Sequence, residues 1–170
     1  IAISGSTKTD FAKLLDYPPE RIDVVHHGLS PAFLAPGAEA DGGVNIDRPY
    51  FVAFAGTPRK NLPRLVRALA GSARRDADLR IVGPADEGTR RAIADTQLAA
   101  RVQFELQLDE AALRRLYRRS CGLLYPSLLE GFGFPILEAM ASRVPVLTSL
   151  RSGTEEIAGG HAVLVEPLSV

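Results

Sequence analysis

Short apolar runs alternate with segments of helical periodicity over most of the chain, and this alternation most limits how the chain can fold. Several of the runs are continuously apolar, which is typical of strands covered on both faces. Repeated strand–helix–strand units predict an α/β fold with a doubly wound parallel sheet, right-handed crossovers and a Rossmann-like architecture. The predicted strands are residues 50–55, 79–82, 102–104, 122–125, 144–148 and 162–165.

Helices are predicted where apolar residues recur at spacings of three and four. Asp109 precedes one of these segments as a candidate N-cap. A further helix should begin near Pro135, because proline suits the first helical turn. The apolar positions that define the first two helices are Leu62, Leu65, Val66 and Leu69, and Leu113, Leu116 and Tyr117.

The first 48 residues have a different pattern. Residues 1–4 and 21–25 are predicted strands, and residues 7–15 a helix. Residues 31–47 are rich in Pro, Gly, Ala and Asp, so we expect residues 29–48 to form a loop or linker. The chain starts with Ile1 and stops just after a strand-like run, and we therefore expect it to be part of a longer protein.

Composition favours a soluble globular domain, with 46% hydrophobic and 24% charged residues. Lys plus Arg and Asp plus Glu each total 20, so no global field favours nucleic acid as a partner. The single cysteine, Cys121, cannot form an internal disulfide, which fits a cytoplasmic location. We expect its side chain to fill core space at the start of a strand.

Two glutamates, Glu130 and Glu138, flank seven residues that include Gly131, Gly133 and Pro135. Glycine allows close backbone approach to a ligand. A helix beginning near Pro135 would point free N–H groups and its positive dipole end at that ligand, with Glu138 in its first turn or just beyond. The pattern predicts a ligand site beyond the carboxyl end of a strand. A helix start with a favourable acidic residue is the structural alternative.

Arg59 and Lys60 follow the first core strand, after a turn that contains Gly56. Arginine offers a planar fork of donors and lysine a compact charge, so the pair is suited to clamp a diphosphate. Two cations at a helix start oppose the helix dipole, which makes a purely structural role unexpected.

Residues 127–141, Ser-Leu-Leu-Glu-Gly-Phe-Gly-Phe-Pro-Ile-Leu-Glu-Ala-Met-Ala, resemble the E-x7-E signature of retaining GT-B glycosyltransferases of the family-4 type. Residues 51–61 resemble the phosphate-binding stretch of that family, although the usual form is longer between its glycine and the basic pair. The resemblance implies the C-terminal half of a GT-B fold. Residues 1–28 would then be the end of the acceptor-side domain and the crossing segment, and residues 49–170 the nucleotide-sugar-binding domain.

The resemblance also implies residue roles. Glu138 would bind the nucleotide ribose, and Glu130 would lie beside the donor sugar and its phosphates. Arg59 and Lys60 would stabilise charge on the β-phosphate as the sugar bond breaks, which makes them, with Glu130, the candidate catalytic residues. Which phosphate each cation contacts stays open. The remaining donor-binding positions are Gly131, Phe132, Gly133, Phe134, Gly56 and Gly83.

Other positions are less specific. The family commonly has a glycine at the position of Leu106, beside the nucleotide base. Residues 152–157 resemble the family's glycine-rich turn ahead of a short helix, for which a packing role suffices. His26 and His27 are adjacent and would point to opposite strand faces, so we expect a hinge or core position rather than a metal pair. The sequence contains no metal-ligand cluster and no P-loop.

The resemblance leads us to expect transfer of a sugar, with retained anomeric configuration, from a GDP-, UDP- or ADP-sugar to a glycan or lipid-linked acceptor, with no cofactor or essential metal. The Arg-Lys-Asn variant suggests mannosyl transfer in surface-polysaccharide synthesis. Most of the acceptor site would lie in another domain, which is also where peripheral membrane contact would arise. We therefore expect nucleotide binding but little or no transfer by these residues alone. The alternatives are a catalytically silent nucleotide-binding or scaffolding module, or another GT-B enzyme such as a nucleotide-sugar epimerase or a sugar phosphorylase.

Overall fold

A computed structural model describes residues 1–34, 48–73 and 76–169 of the chain. Six parallel strands form one sheet, and all six lie where the sequence predicts them. The predicted run 144–148 starts two residues late, because Pro145 has no N–H to give to the ladder. The strands are β1 (Tyr50–Phe54), β2 (Asp78–Val82), β3 (Val102–Glu105), β4 (Gly122–Tyr125), β5 (Val146–Ser149) and β6 (Val163–Val165).

The strand order is β3-β2-β1-β4-β5-β6. Connections that follow β1 lead to one edge of the sheet, and connections that follow β4 lead to the other. The order therefore reverses between the neighbouring strands β1 and β4, which confirms the predicted doubly wound, Rossmann-like fold. In such sheets the crevice at the reversal, outside the carboxyl ends of the strands, is where ligands bind.

The helices begin where the sequence offers caps or proline. Asp109 accepts a hydrogen bond from Ala112 N at 2.6 Å, as predicted, and Asp86 caps another helix through Thr89 N at 2.7 Å. Pro135 occupies the first turn of its helix. Within the described residues the helices are α1 (Gly5–Leu14), α2 (Pro31–Leu34), α3 (Leu62–Gly71), α4 (Glu87–Asp95), α5 (Glu110–Arg118), α6 (Phe134–Ala141) and α7 (Ser152–Ala158).

Two apolar cores lie on the two faces of the sheet. One joins α3 and α4 to β1 and β2, around Val66 and Ile81. The other joins α5, α6 and α7 to β1, β4 and β5, around Tyr117, Leu123 and Ile136. Strands β1, β2 and β4 alternate their side chains between these cores, which explains why their sequences are nearly continuous in apolar residues.

The N-terminal segment packs against the rest of the domain. The predicted strands 1–4 and 21–25 make only a single parallel bridge, between Ala2 and Val24. The predicted helix 7–15 is confirmed but starts earlier, because Ser4 accepts a hydrogen bond from Thr7 N at 3.0 Å and caps it. The assignment of residues 1–28 to a second domain stays a prediction.

The predicted loop or linker is in part helical. Residues 31–34 form α2, and Phe33 is buried in the core against Tyr117. Pro31 suits the first position of this short helix, and the buried Phe33 side chain attaches it to the core. Residues 35–47 of the predicted linker lie outside the described residues.

The prediction that Cys121 fills core space was wrong, because its side chain is exposed. Cys121 precedes β4, and burial begins only with the next residue, Gly122. Among the described residues, none of the helices has the length and apolar character that crossing a membrane would require.

Candidate functional site

The candidate site lies at the reversal point of the sheet, where the loop after β1 meets the loop after β4. Asn61 joins the two loops, because its Nδ2 donates to Pro126 O at 3.0 Å and to Pro167 O at 2.7 Å. Leu128 N donates to Arg59 O at 2.8 Å, a second link between them. Asn61 adopts the left-handed conformation, with φ 60°, which asparagine tolerates better than most residues. This turn fixes the loop that carries the predicted cations.

Lys60 and Glu130 form an ion pair across the reversal point. Lys60 Nζ lies 2.8 Å from Glu130 Oε1, and the two side chains are only 20% and 16% exposed. The hydroxyl of Tyr125 accepts from Lys60 Nζ and donates to Glu130 Oε1 at 2.9 Å. Lys60 also lies over the Tyr125 ring, 4.6 Å from its centroid. The structure thus brings together two predicted residues and one that the sequence interpretation missed.

Arg59 directly precedes Lys60 in the chain, but its side chain is more exposed to solvent than that of Lys60. Both belong to a short 3-10 turn, Pro58–Lys60, and the Arg59 side chain is exposed. Gly56 precedes the turn with φ 125°, a conformation that glycine adopts without strain. The loop therefore presents one anchored cation and one exposed cation at the carboxyl end of β1.

The glycine turn after Glu130 leads directly into α6. Gly133, with φ 118°, is the residue before the helix, and a side chain there would be strained. Phe132 is buried, whereas Phe134 is exposed, and their ring centroids lie 5.2 Å apart. Gly131 is exposed at the tip of the turn. The predicted turn residues thus lie directly at the N-terminus of α6, where Gly131 and Phe134 are exposed.

Three hydrogen bonds to backbone carbonyls of the turn hold it in place. Gly131 O accepts from Ser4 Oγ at 2.5 Å and from Thr7 Oγ1 at 3.1 Å, both at the start of α1. Glu130 O accepts from Gly153 N at 3.0 Å, at the start of α7. A Cβ on Gly153 would lie 2.7 Å from Gly131 O, so only glycine permits this approach. The sequence pattern predicts for Gly153 only a turn with a packing role, so this close approach is a new finding.

Glu138 is the fifth residue of α6, in its second turn, and it is half-buried. Tyr117 OH donates to Glu138 Oε2 at 3.1 Å. Burial raises the pKa of Glu138 above its ordinary value of 4.5; the Tyr117 hydrogen bond opposes this shift, and the charge of Glu110 adds to it. This is a carboxylate shielded from water and oriented by a buried phenol. The alternative of an acidic first turn does not hold, since the first turn of α6 contains no acidic residue.

Glu138 and Glu130 both act electrostatically on the hydroxyl of Tyr125. Burial raises the pKa of Tyr125 most, and the charges of Glu130 and Glu138 both raise it further. Phe54 fills the space between Tyr117 and Tyr125, with ring centroids 6.1 Å and 6.2 Å away. Two buried tyrosines therefore donate hydrogen bonds to the two glutamates, Tyr117 to Glu138 and Tyr125 to Glu130.

The two adjacent histidines occupy exposed positions, so the core alternative of the expected hinge or core position was wrong, and the hinge alternative stays a prediction. His26 Nε2 lies 2.9 Å from Glu156 Oε1. The His27 ring stacks on Phe134 with centroids 5.2 Å apart. The segment that carries both histidines thus contacts α7 and the glycine turn, which places His27 at the edge of the site.

Glu156 ties the N-terminus of α1 to α7. Its carboxylate accepts from Gly5 N at 2.9 Å and from Ser6 N at 3.1 Å. Desolvation acts to raise its pKa, but the hydrogen bonds from Gly5, His26 and Ser6 outweigh it and hold the pKa below its ordinary value. The sequence offered no signal for this contact, because Glu156 lies about 150 residues away from Gly5 and Ser6 along the chain.

Gly83 lies at the same edge of the sheet, directly after β2. Its φ is 97°, and its N–H donates to Glu105 O at 2.9 Å. Leu106, where the resemblance implied a base contact, is 59% exposed. Nothing in these contacts distinguishes a nucleotide-facing turn from a strand-ending one. Within the described ranges, the chain has no group of three or more histidine, cysteine or carboxylate side chains arranged to hold a metal.

The fold matches about one half of solved glycosyltransferases with the GT-B fold. HepE of Anabaena, solved in complex with UDP-glucose, superposes with a TM-score of 0.81 at 22% identity, over 99% of this chain and 50% of that one. At this identity the likeness concerns the fold. Residues 44–169 match the family described as glycosyl transferases group 1, and the chain belongs to that family.

Curated relatives agree with this membership. The chain is 37% identical to the D-inositol 3-phosphate glycosyltransferase of Nocardia farcinica, over 88% of this chain and 37% of that protein. It is 26% identical to the O-antigen chain mannosyltransferase RfbU of Salmonella typhimurium, over 98% of this chain and 46% of that protein. The chain thus spans less than half the length of these relatives.

Replacement of Gly153 by alanine should destabilise the protein, because the new Cβ must push the glycine turn away from α7. We expect a loss of about 1–3 kcal/mol in the free energy of unfolding, measured by urea denaturation. Gly28→Ala is the matched control, since a Cβ there meets nothing within 4 Å. Equal stability of the Gly153→Ala variant and the parent would show that the turn is not held by this contact.

Glu138→Gln should change how stability depends on pH. A raised pKa means that the folded state keeps the proton to higher pH than the unfolded state. The stabilising contribution of the protonated carboxyl is complete below pH 4.5 and is lost as pH rises through the raised pKa. Glutamine stays neutral, so the variant should gain stability relative to the parent as the pH rises above 4.5.

Urea denaturation at several pH values measures this difference. Glu20→Gln, which removes an exposed carboxylate, is the control. A difference between Glu138→Gln and the parent that is constant or shrinks with rising pH would contradict the assigned environment of Glu138.

Proposed function

We propose that this chain is the donor-binding part of a retaining glycosyltransferase that transfers a sugar from a nucleoside-diphosphate sugar. The observation that carries this proposal is the Lys60–Glu130 ion pair at the reversal point of the sheet, beside the N-terminus of α6. A cation, the positive dipole end of α6 and a glycine turn converge there. Phosphate oxygens and sugar hydroxyls are the ligands that such groups recognise.

In this proposal the diphosphate lies between the β1–α3 loop and the start of α6. Lys60, held in place by Glu130 and Tyr125, contacts a phosphate oxygen, and the exposed Arg59 supplies a second cation. As the bond from the sugar to the diphosphate breaks, negative charge grows on the leaving β-phosphate. Cations fixed in advance stabilise that charge without reorganising during the reaction.

Glu138 is proposed to bind the ribose of the nucleotide. A half-buried carboxylate can accept hydrogen bonds from both hydroxyls of a diol, and Tyr117 already orients one of its oxygens. Ligand hydroxyls would also stabilise the ionised form, which burial disfavours. The bound donor would therefore extend from Arg59 and Lys60, in the loop between β1 and α3, to Glu138 in the second turn of α6.

Retention of configuration is proposed on the family resemblance and fits the positions of the carboxylates. Glycosidases place two carboxyl groups across the scissile bond. Here Glu130 is paired with a lysine before α6, and Glu138 contacts a tyrosine in the second turn of the helix. These environments support roles in holding the donor rather than acid and base roles on opposite sides of a sugar.

The acceptor is proposed to be a glycan or a lipid-linked sugar that binds largely to another domain of the whole protein. The relatives named as mannosyltransferases of O-antigen chains support mannosyl transfer in surface-polysaccharide synthesis. A GDP-, UDP- or ADP-sugar is the proposed donor, and no metal or cofactor is required. The whole protein is proposed to act in the cytoplasm, with peripheral membrane contact arising outside this chain. Alone, the chain should bind nucleotide without catalysing transfer.

Donor binding can be tested by thermal unfolding with UDP, GDP, ADP and their sugars. A ligand at 100 times its Kd stabilises the folded state by about 2.7 kcal/mol, which raises Tm by several degrees for a domain of this size. We expect such a shift with at least one nucleoside diphosphate. A folded chain that shifts with none of them would instead support the catalytically silent scaffolding module.

Two variants locate the nucleotide in the same experiment. Glu138→Ala should reduce the shift more than Glu130→Ala, because the ribose contact remains in every nucleoside diphosphate while Glu130 lies towards the sugar. The effect of Glu138→Ala should correspond to at least a tenfold loss of affinity, the cost of a hydrogen bond to a charged group. Equal shifts in both variants and the parent would contradict these roles.

A further inference from the structure

Tyr125 connects the charged groups of the site to the apolar core. It is the last residue of β4 and is 2% exposed. Its ring packs edge-on to Phe54 in the core that contains α6. The backbone carbonyl of Tyr125 accepts from Thr148 Oγ1 at 2.9 Å, which ties the strand end to β5. The ring is therefore fixed on its sides by packing and along the chain by the sheet.

The hydroxyl of this fixed ring contacts both charged groups of the ion pair. It accepts from Lys60 Nζ and donates to Glu130 Oε1. Lysine and glutamate side chains each have several rotatable bonds and do not hold one position without such contacts. The Tyr125 hydroxyl is the contact that joins both of them to a rigid strand of the sheet.

From this geometry we infer that Tyr125 is a positioning residue, which holds Lys60 and Glu130 where a nucleoside-diphosphate donor binds. The inference rests on the proposed function and names a residue that neither the motif nor the family resemblance assigns. Burial, then the charge of Glu130, raises the pKa of Tyr125, so its hydroxyl keeps its proton and remains a donor to the carboxylate. The hydroxyl thus lowers the ordering cost that ligand binding would otherwise carry.

Tyr125→Phe isolates this role, because phenylalanine keeps the ring and removes only the hydroxyl. The affinities of UDP, GDP and ADP, and of UMP, GMP and AMP, are measured by titration calorimetry on the 170-residue chain. We expect diphosphate affinity to fall about tenfold, in the range for loss of a hydrogen bond to a charged group. The matching monophosphate should lose much less, because this inference places Lys60 at the β-phosphate, which a monophosphate lacks.

Tyr50→Phe is the matched control for loss of a buried hydroxyl. Tyr50 is also 2% exposed, and its hydroxyl donates to Leu116 O at 2.8 Å. It begins β1, so it lies at the opposite end of the strands from the site. The control should keep the ratio of diphosphate to monophosphate affinity, whereas Tyr125→Phe should lower it. A general loss of stability would not change that ratio selectively.

A double variant tests whether Tyr125 acts through Lys60. If it does, Lys60→Ala/Tyr125→Phe should bind the diphosphate as weakly as Lys60→Ala alone, within about twofold. Additive losses would overturn the inference, as would Tyr125→Phe with parental affinities or with the same ratio as Tyr50→Phe. These outcomes leave the proposed function intact. A parent chain that binds none of the nucleotides would overturn both.

Discussion

The Lys60–Glu130 ion pair is the interaction on which the candidate site depends, because it joins the two halves of the doubly wound sheet. Lys60 follows β1, whose connection leads to one edge, and Glu130 follows β4, whose connection leads to the other. These strands are direct neighbours only because the order reverses between them. The fold thus brings the loops after β1 and β4 together, and the ion pair places opposite charges at the point where such sheets bind ligands.

An ion pair that is mostly removed from water is costly unless its hydrogen-bonding capacity is met. Tyr125 supplies part of that capacity to both partners, and the ring of Tyr125 adds a cation–π contact to Lys60. Removing one partner would leave the other charged and poorly solvated. A diphosphate can accept a further hydrogen bond from Lys60, because an ammonium group has three donors and Lys60 donates here to Tyr125 and Glu130. Stability and ligand recognition therefore depend on the same few contacts.

The sequence predicted the sheet well because parallel strands covered on both faces are apolar throughout and short. It also identified the glycine turn, the cations and both glutamates, because these belong to local patterns of spacing. Tyr125 was missed since a tyrosine at a strand end gives no local sign that its hydroxyl contacts two charges. Cys121 was misplaced although the bounds of β4 were predicted correctly, because it directly precedes the strand and burial begins only with Gly122.

Contacts between distant segments account for the other omissions. Ser4 and Thr7 bind the carbonyl of Gly131, and Glu156 accepts from the backbone of Gly5. Each pair is separated by more than 120 residues, so no window of sequence displays it. Gly153 could be recognised as a turn residue, but its close approach to Gly131 O depends on where the chain places the other loop.

A crystal structure of the chain with a bound nucleoside diphosphate tests the central claim most directly. The account predicts electron density for the diphosphate at the reversal point, within hydrogen-bond distance of Lys60 Nζ and of the N–H groups at the start of α6. The ribose should lie against Glu138. A diphosphate bound elsewhere, with Lys60 still engaged only by Glu130 and Tyr125, would contradict it.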